Sequence, residues 1–155
     1  MTETKEFWMR EALRAAMDAR EIGEVPIGAC IVDAEDKLIS TAFNETIIRN
    51  DPTAHAEILA IRLAGEKIGN YRLSKMILFT TIEPCAMCAG ALVNARIKQL
   101  VFGAHDERFG AVESNFRICD SPDLNHRLEI TSGILADECR HIMQDFFRAR
   151  RPEAR

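Results

Sequence analysis

Two short stretches of this chain carry groups able to do chemistry. The first is His55-Ala56-Glu57, set inside the apolar run "PTAHAEILAI" at 52–61. The second is Cys85-Ala86-Met87-Cys88, preceded by Pro84. Two thiols at i and i+3 share one face of a helix and can chelate one metal ion. A helix N-terminus also favours their thiolate form. A neutral imidazole supplies a third ligand. Two cysteines and one histidine with an open fourth position are the signature of catalytic zinc, whereas structural zinc takes four protein ligands. The expected ligands are His55, Cys85 and Cys88.

The charge count then asks for a base. Zn²⁺, two thiolates and a neutral imidazole sum to zero, so such an ion acidifies its water less than an all-histidine site. Glu57 is the candidate to take the water's proton and return it to a leaving nitrogen. Hydroxide attack with proton return to departing ammonia is hydrolytic deamination of an aromatic amidine carbon. A lone C-x-x-C also fits a redox pair or half of a structural zinc site. No second C-x-x-C is present, and a redox pair leaves His55 and Glu57 unexplained in a run where unpaired polar groups are costly. Cys30, Cys119 and Cys139 read as inert small hydrophobes. His105, His126 and His141 read as surface or satisfied core histidines.

These residues need elements to hold them. Trp8, Leu13, Ala16 and Ala19 recur near a 3.6 period and predict an amphipathic helix over 3–20. Segments 26–33 and 37–43 predict two strands joined by a polar turn, a hairpin. Asp51 reads as an N-cap and Pro52 as the first residue of a helix that runs to about Lys67, where Gly69 and Asn70 stop it. "KMILFTTI" is a strand buried on both faces. A helix over 85–95 and a strand over 99–104 complete a strand–helix–strand unit, which implies parallel pairing and a right-handed crossover. Residues 105–127 read as irregular, "LEIT" as an edge strand, and 135–150 as a closing helix. The sum is an α/β fold, a mixed sheet with helices on both faces.

Bulk properties narrow the class. The chain has 155 residues, enough for one domain with a full core, and no linker divides it. The N-terminus is charged and does not read as a signal peptide, and no apolar run is long enough to span a bilayer. An odd count of five cysteines suits a reducing cytoplasm better than a disulfide framework. The net charge of −4 does not attract nucleic acid, so any such binding requires a local basic patch. Residues 140–155 hold five arginines against Asp145 and Glu153.

The pairing of "HAE" with "PCAMC" matches the zinc nucleobase deaminase pattern H-x-E…P-C-x-x-C. The likeness extends to "EVPIGA" (24–29), "DPTAHAEILAI" (51–61), "NYRL" (70–73), "EPCAMCAGAL" (83–92), "LVFGAHD" (100–106), "LNHRLEI" (124–130), "GILADEC" (133–139) and "DFFRARR" (145–151). Over nearly its whole length the chain resembles the bacterial tRNA adenosine deaminases (TadA-type). That resemblance implies a three-layer α/β/α cytidine-deaminase-like fold with about five strands, in a single zinc-dependent domain over 1–155. It implies conversion of adenosine to inosine at wobble position 34 of a tRNA anticodon stem-loop. The enzyme is expected to be a cytoplasmic homodimer with one Zn²⁺ per subunit and no membrane association. By the same likeness Glu57 moves the proton and His55, Cys85 and Cys88 bind zinc. Asn44 reads the purine edge, the backbone of Ala56 helps hold the base, and Val25 and Pro26 wall the pocket. Asp106 lies beside the flipped nucleotide, and Phe146, Phe147, Arg148 and Arg150 belong to the helix that meets the anticodon loop.

One position departs from the family pattern: Glu113 stands in "GAVESNF" where a glycine is usual. The motif core is shared with deaminases of free guanine, cytosine or nucleosides, the alternative reading. A catalytically silent RNA-binding subunit is a third, against which the intact Glu57 argues.

Overall fold

We describe residues 2–150 in a computed structural model. Arg151, Glu153 and Arg155 of the basic cluster lie outside the described residues. The apolar runs form five strands: β1 (Gly28–Val32), β2 (Leu38–Phe43), β3 (Ile77–Ile82), β4 (Gln99–Ala104) and β5 (Glu129–Thr131). Four helices flank them: α1 (Thr2–Glu21), α2 (Ala56–Ile68), α3 (Ala86–Asn94) and α4 (Ala136–Arg150). The sheet order is β2-β1-β3-β4-β5. β1 pairs antiparallel with β2 and β3, whereas β3, β4 and β5 run parallel. The mixed five-stranded sheet and the edge position of "LEIT" match the sequence expectation. In the hairpin turn, Asp33 Oδ1 accepts the N–H groups of Glu35 and Lys37 at 2.9 and 3.0 Å.

Alternating strand residues feed two cores, as the two-residue period of a strand requires. Ala29, Ile31, Leu78, Leu100 and Phe102 point to the layer of α2 and α3. Cys30, Val32, Phe79 and Val101 point to the layer that holds Trp8, Met9 and Ala12 of α1 and Cys139 of α4. Strands buried on both faces explain why β3 and β4 read as continuous apolar runs. Among the described residues no helix is long and apolar enough to cross a membrane.

The start of α2 corrects the sequence reading. The helix begins at Ala56, with His55 as its N-cap in extended conformation (φ −75, ψ 152). Asp51 instead closes a local turn: its Oδ1 accepts the Thr53 N–H and hydroxyl at 2.8 and 2.7 Å. The Ala54 carbonyl then accepts the Glu45 N–H at 3.0 Å, which ties this turn to the segment after β2. Asp-Pro-Thr carries helix-start chemistry, but its capping oxygen is used before any helix forms. At the far end Gly69 takes the left-handed conformation (φ +70) and terminates α2 as expected.

α1 crosses β1 at Gly28. A Cβ there would collide with the Ala12 carbonyl and stand 2.6 Å from the Ala16 nitrogen, both backbone atoms that cannot swing aside. Gly28→Ala should therefore force α1 off the sheet and lower unfolding stability by about 1–3 kcal/mol, the usual cost of overpacking. Urea denaturation measures this, and wild-type stability in the variant would show that α1 is not held by this contact.

Candidate active site and metal centre

Four strand ends meet at one edge of the sheet. The pairings Gly28↔Phe43, Ala29↔Thr80 and Ile82↔Ala104 put the start of β1 and the ends of β2, β3 and β4 side by side. The segments beyond them are Glu24–Ile27, Asn44–His55, Glu83–Cys85 and the loop after Ala104. Ligand sites of open α/β sheets form outside the carboxyl ends of parallel strands. Here that crevice receives every candidate residue except those on α4.

His55, Cys85 and Cys88 come together, with their ligating atoms all within 4.8 Å of one another. His55 Nδ1 lies 3.6 Å from Cys85 Sγ and 3.5 Å from Cys88 Sγ. A tetrahedral ion bound about 2.3 Å from sulfur and about 2.0–2.1 Å from nitrogen gives sulfur–nitrogen edges of about 3.5–3.6 Å. The donor set therefore fits one such ion. Cys85 is, like His55, an N-cap in extended backbone (φ −74, ψ 176), and neither side chain caps its own helix. The Cys88 thiol donates to Cys85 and, against the effect of burial, holds the Cys85 thiol down to about 4. The same shared proton, together with burial, pushes Cys88 up. Cys85 in turn raises His55. A divalent cation bound by both sulfurs would displace their protons.

Glu57 lies in the first turn of α2 and is only 4% exposed. Its Oε1 is buried and has no hydrogen-bond partner among the described residues. Burial pushes its carboxyl up to about 7. A carboxyl so placed is poised to exchange a proton near neutral pH, and native structures rarely leave a buried oxygen unpaired without a use for it. By contrast burial pushes Cys30, Cys119 and Cys139 up to about 12, as inert thiols.

Residues 3–151 match the MafB19-like deaminase family. A tRNA-specific adenosine deaminase of Haemophilus influenzae is 48% identical over 98% of this chain and 88% of its own length. The chain belongs to the tRNA-specific adenosine deaminase family. A solved structure from a study of A-to-I editing by tRNA:A34 deaminases superposes with a TM-score of 0.84 at 43% identity, covering 88% of this chain and 98% of that one. A guanine deaminase from Nitrosomonas europaea superposes with a TM-score of 0.73 at 27% identity, covering 91% and 83%. The three-layer α/β/α arrangement is thus the deaminase fold.

The other expected residues of this deaminase fall into two groups. Asn44 is buried and its Oδ1 accepts the Ala56 N–H at 2.9 Å. The bond fixes the orientation of its amide and ties the start of α2 to the end of β2. Val25 and Pro26 precede β1 in the same crevice, where the Asn44 N–H reaches the Ile27 carbonyl at 3.1 Å. Asp106 follows β4, and its Oδ1 accepts the N–H groups of Arg108 and Phe109 at 3.0 and 3.1 Å. The residues of α4 are not brought to this crevice by any contact. Phe146 is buried, and the Arg150 guanidinium stacks over its ring while donating to the Gly23 carbonyl at 2.7 Å. Arg148 is exposed beside Asp145 at 3.3 Å.

Two carboxylates that sequence reasoning passed over hold the crevice open. Glu24 is buried and accepts the N–H groups of Ile47 and Ile48 at 3.1 and 2.7 Å. Glu83 is buried and accepts the N–H groups of Asp106, Val112, Glu113 and Ser114 at 2.8–3.1 Å, and the Ser114 hydroxyl. Although burial opposes ionisation, these donors hold its carboxyl below the usual carboxylate range. Each sits one or two residues before a proline, the only signal in the sequence. Glu113 itself pairs outward with His105 at 2.9 Å. Glu83→Ala strands several buried N–H groups, at about 1–3 kcal/mol each where water does not reach them. The variant should be less stable and should lose amide-exchange protection at 112–114 first. Unchanged exchange there would show that the loop does not depend on Glu83.

Proposed function

We propose that this protein hydrolyses adenosine 34 of a tRNA anticodon to inosine, with one zinc ion held by His55, Cys85 and Cys88. The buried, unpartnered Glu57 Oε1 beside that ligand set carries the chemical reading. The substrate assignment rests on the 48% identity to a tRNA-specific adenosine deaminase. Zinc bound there supplies a Lewis acid that activates water for attack on an exocyclic-amine carbon. Glu57 takes the proton from the attacking water and delivers it to the adenine N6. The C6–N6 bond breaks, ammonia leaves with that proton, and the water's second proton passes to N1, which leaves the C6 carbonyl and N1–H of inosine. Asn44, held by Ala56, orients the purine, with Val25, Pro26 and Asp106 around it. Arg148 faces RNA phosphate, on a helix that Phe146 and Arg150 anchor. We infer a single-domain homodimer acting in the cytoplasm. Free guanine is the second reading, favoured only by the more distant guanine deaminase match.

Glu57→Gln should keep stoichiometric zinc and the native fold but lose turnover by about 10²–10⁴-fold. Metal analysis beside a deamination assay checks this, and retained activity would remove Glu57 from the mechanism. Cys88→Ala should lose metal and melt at lower temperature, because metal binding contributes to folding. Purified enzyme offered an anticodon stem-loop with wobble adenosine, free adenosine, guanine and cytidine should convert the stem-loop. Conversion of a free base alone would overturn the tRNA assignment. Sedimentation should give twice the chain mass.

A further inference from the structure

The loop after β4 presents an aromatic ring that neither the ligand set nor the proton transfer uses. Phe109 is 64% exposed. An exposed phenylalanine is ordinary by itself; its setting is not. Its own N–H and that of Arg108 are held by Asp106 Oδ1. The next residue, Gly110, donates its N–H to the Asp106 carbonyl at 2.8 Å and forms a β-bridge with the candidate ligand Cys85. The Ala111 N–H reaches the Pro84 carbonyl at 2.9 Å, and Asn115 Nδ2 bonds the carbonyls of Glu107 and Gly110, both at 3.1 Å. A Cβ at Gly110 would strike the Glu83 carboxylate, so the loop is seated as closely as glycine allows. Hydrogen bonds thus pin the backbone that carries the ring, one residue from the bridge to the candidate ligand Cys85. The Arg108 guanidinium lies 5.4 Å from its centroid.

A rigid exposed ring beside a guanidinium matches what unpaired nucleotides require: a π-face for the base and a cation for the backbone. A free nucleobase held in the crevice would have no use for either outside it. We propose that Phe109 is the stacking platform for an unpaired base adjacent to the deaminated nucleotide, with Arg108 supporting the ring and the neighbouring phosphate. The proposal rests on the RNA reading above. It assigns to this loop a specificity-determining role, because a platform reads the presence of a neighbouring base and not its identity.

The test uses the zinc-loaded enzyme and three anticodon stem-loops: intact, abasic 5′ of the target, and abasic 3′ of it. Phe109→Ala should raise KM on the intact stem-loop about fivefold or more, the low end of base–aromatic stacking, with the loss falling on KM and not on kcat. Phe109→Tyr should restore KM and Phe109→Leu should not. On one of the two abasic substrates the alanine penalty should vanish. Zinc content and melting temperature serve as the fold control, and both should match wild type. An unchanged KM in Phe109→Ala, or a penalty that persists on both abasic substrates, would overturn the platform while leaving the RNA reading intact. A wild-type enzyme inert on all three stem-loops would overturn both.

Discussion

Turning a chain into a helix uses one residue whose backbone is not yet helical, and in this protein that residue is a metal-ligand candidate twice over. His55 and Cys85 both occupy extended N-cap positions. On a regular helix, residues two apart diverge by about 200°, so His55 and Glu57 could not face one point. The extended backbone at His55 removes that conflict. It lets the imidazole reach the sulfurs while Glu57, already helical, approaches from the first turn. The strand ends, the Asn44–Ala56 bond and the short turn at Asp51 all serve to start α2 at Ala56 and no earlier.

Much of this was legible before the fold was known. The 3.6 period and the continuous apolar runs gave the elements to within a few residues, because helices bury one face and the central strands bury two. The ligand set was legible because Cys-x-x-Cys and His-x-Glu occur in one chain, and a redox pair or a structural zinc site would leave one of the two unexplained. The start of α2 was not. Asp51 and Pro52 have helix-start chemistry, and only the pairing of Ala54 with Glu45, a tertiary contact, decides against them. Glu24 and Glu83 were invisible for a similar reason. A glutamate near a proline looks like a surface residue until distant loops fold back and offer it their N–H groups. Phe146 and Arg150 show another thing that spacing hides: the ring is core, and the exposed guanidinium stacks over it while holding the Gly23 carbonyl.

The electrostatics divide the polar groups by function. Glu83 and Glu57 are both buried carboxylates, but one is surrounded by donors and the other has an oxygen with none. Saturation with hydrogen bonds keeps Glu83 charged and fixed, which suits a strut. Burial, only partly offset by its hydrogen bonds, pushes Glu57 up to about 7, which suits a proton carrier. Asn44 stands between these cases: its oxygen is engaged by Ala56, so the other arm of its amide offers a partner donors only.

The Glu83 strut grips main-chain amides and, of side chains, only the Ser114 hydroxyl. Beyond Ser114, and Gly110 where a Cβ would strike the carboxylate, it reads few side chains of the loop it holds. The side chains of Glu113 and Phe109 take no part in that grip, which runs through the Glu113 N–H and the amides around it. At 109 and 113 the path of the main chain is held independently of the side chain displayed, so a substitution there would change what the rim presents while the strut keeps its grip.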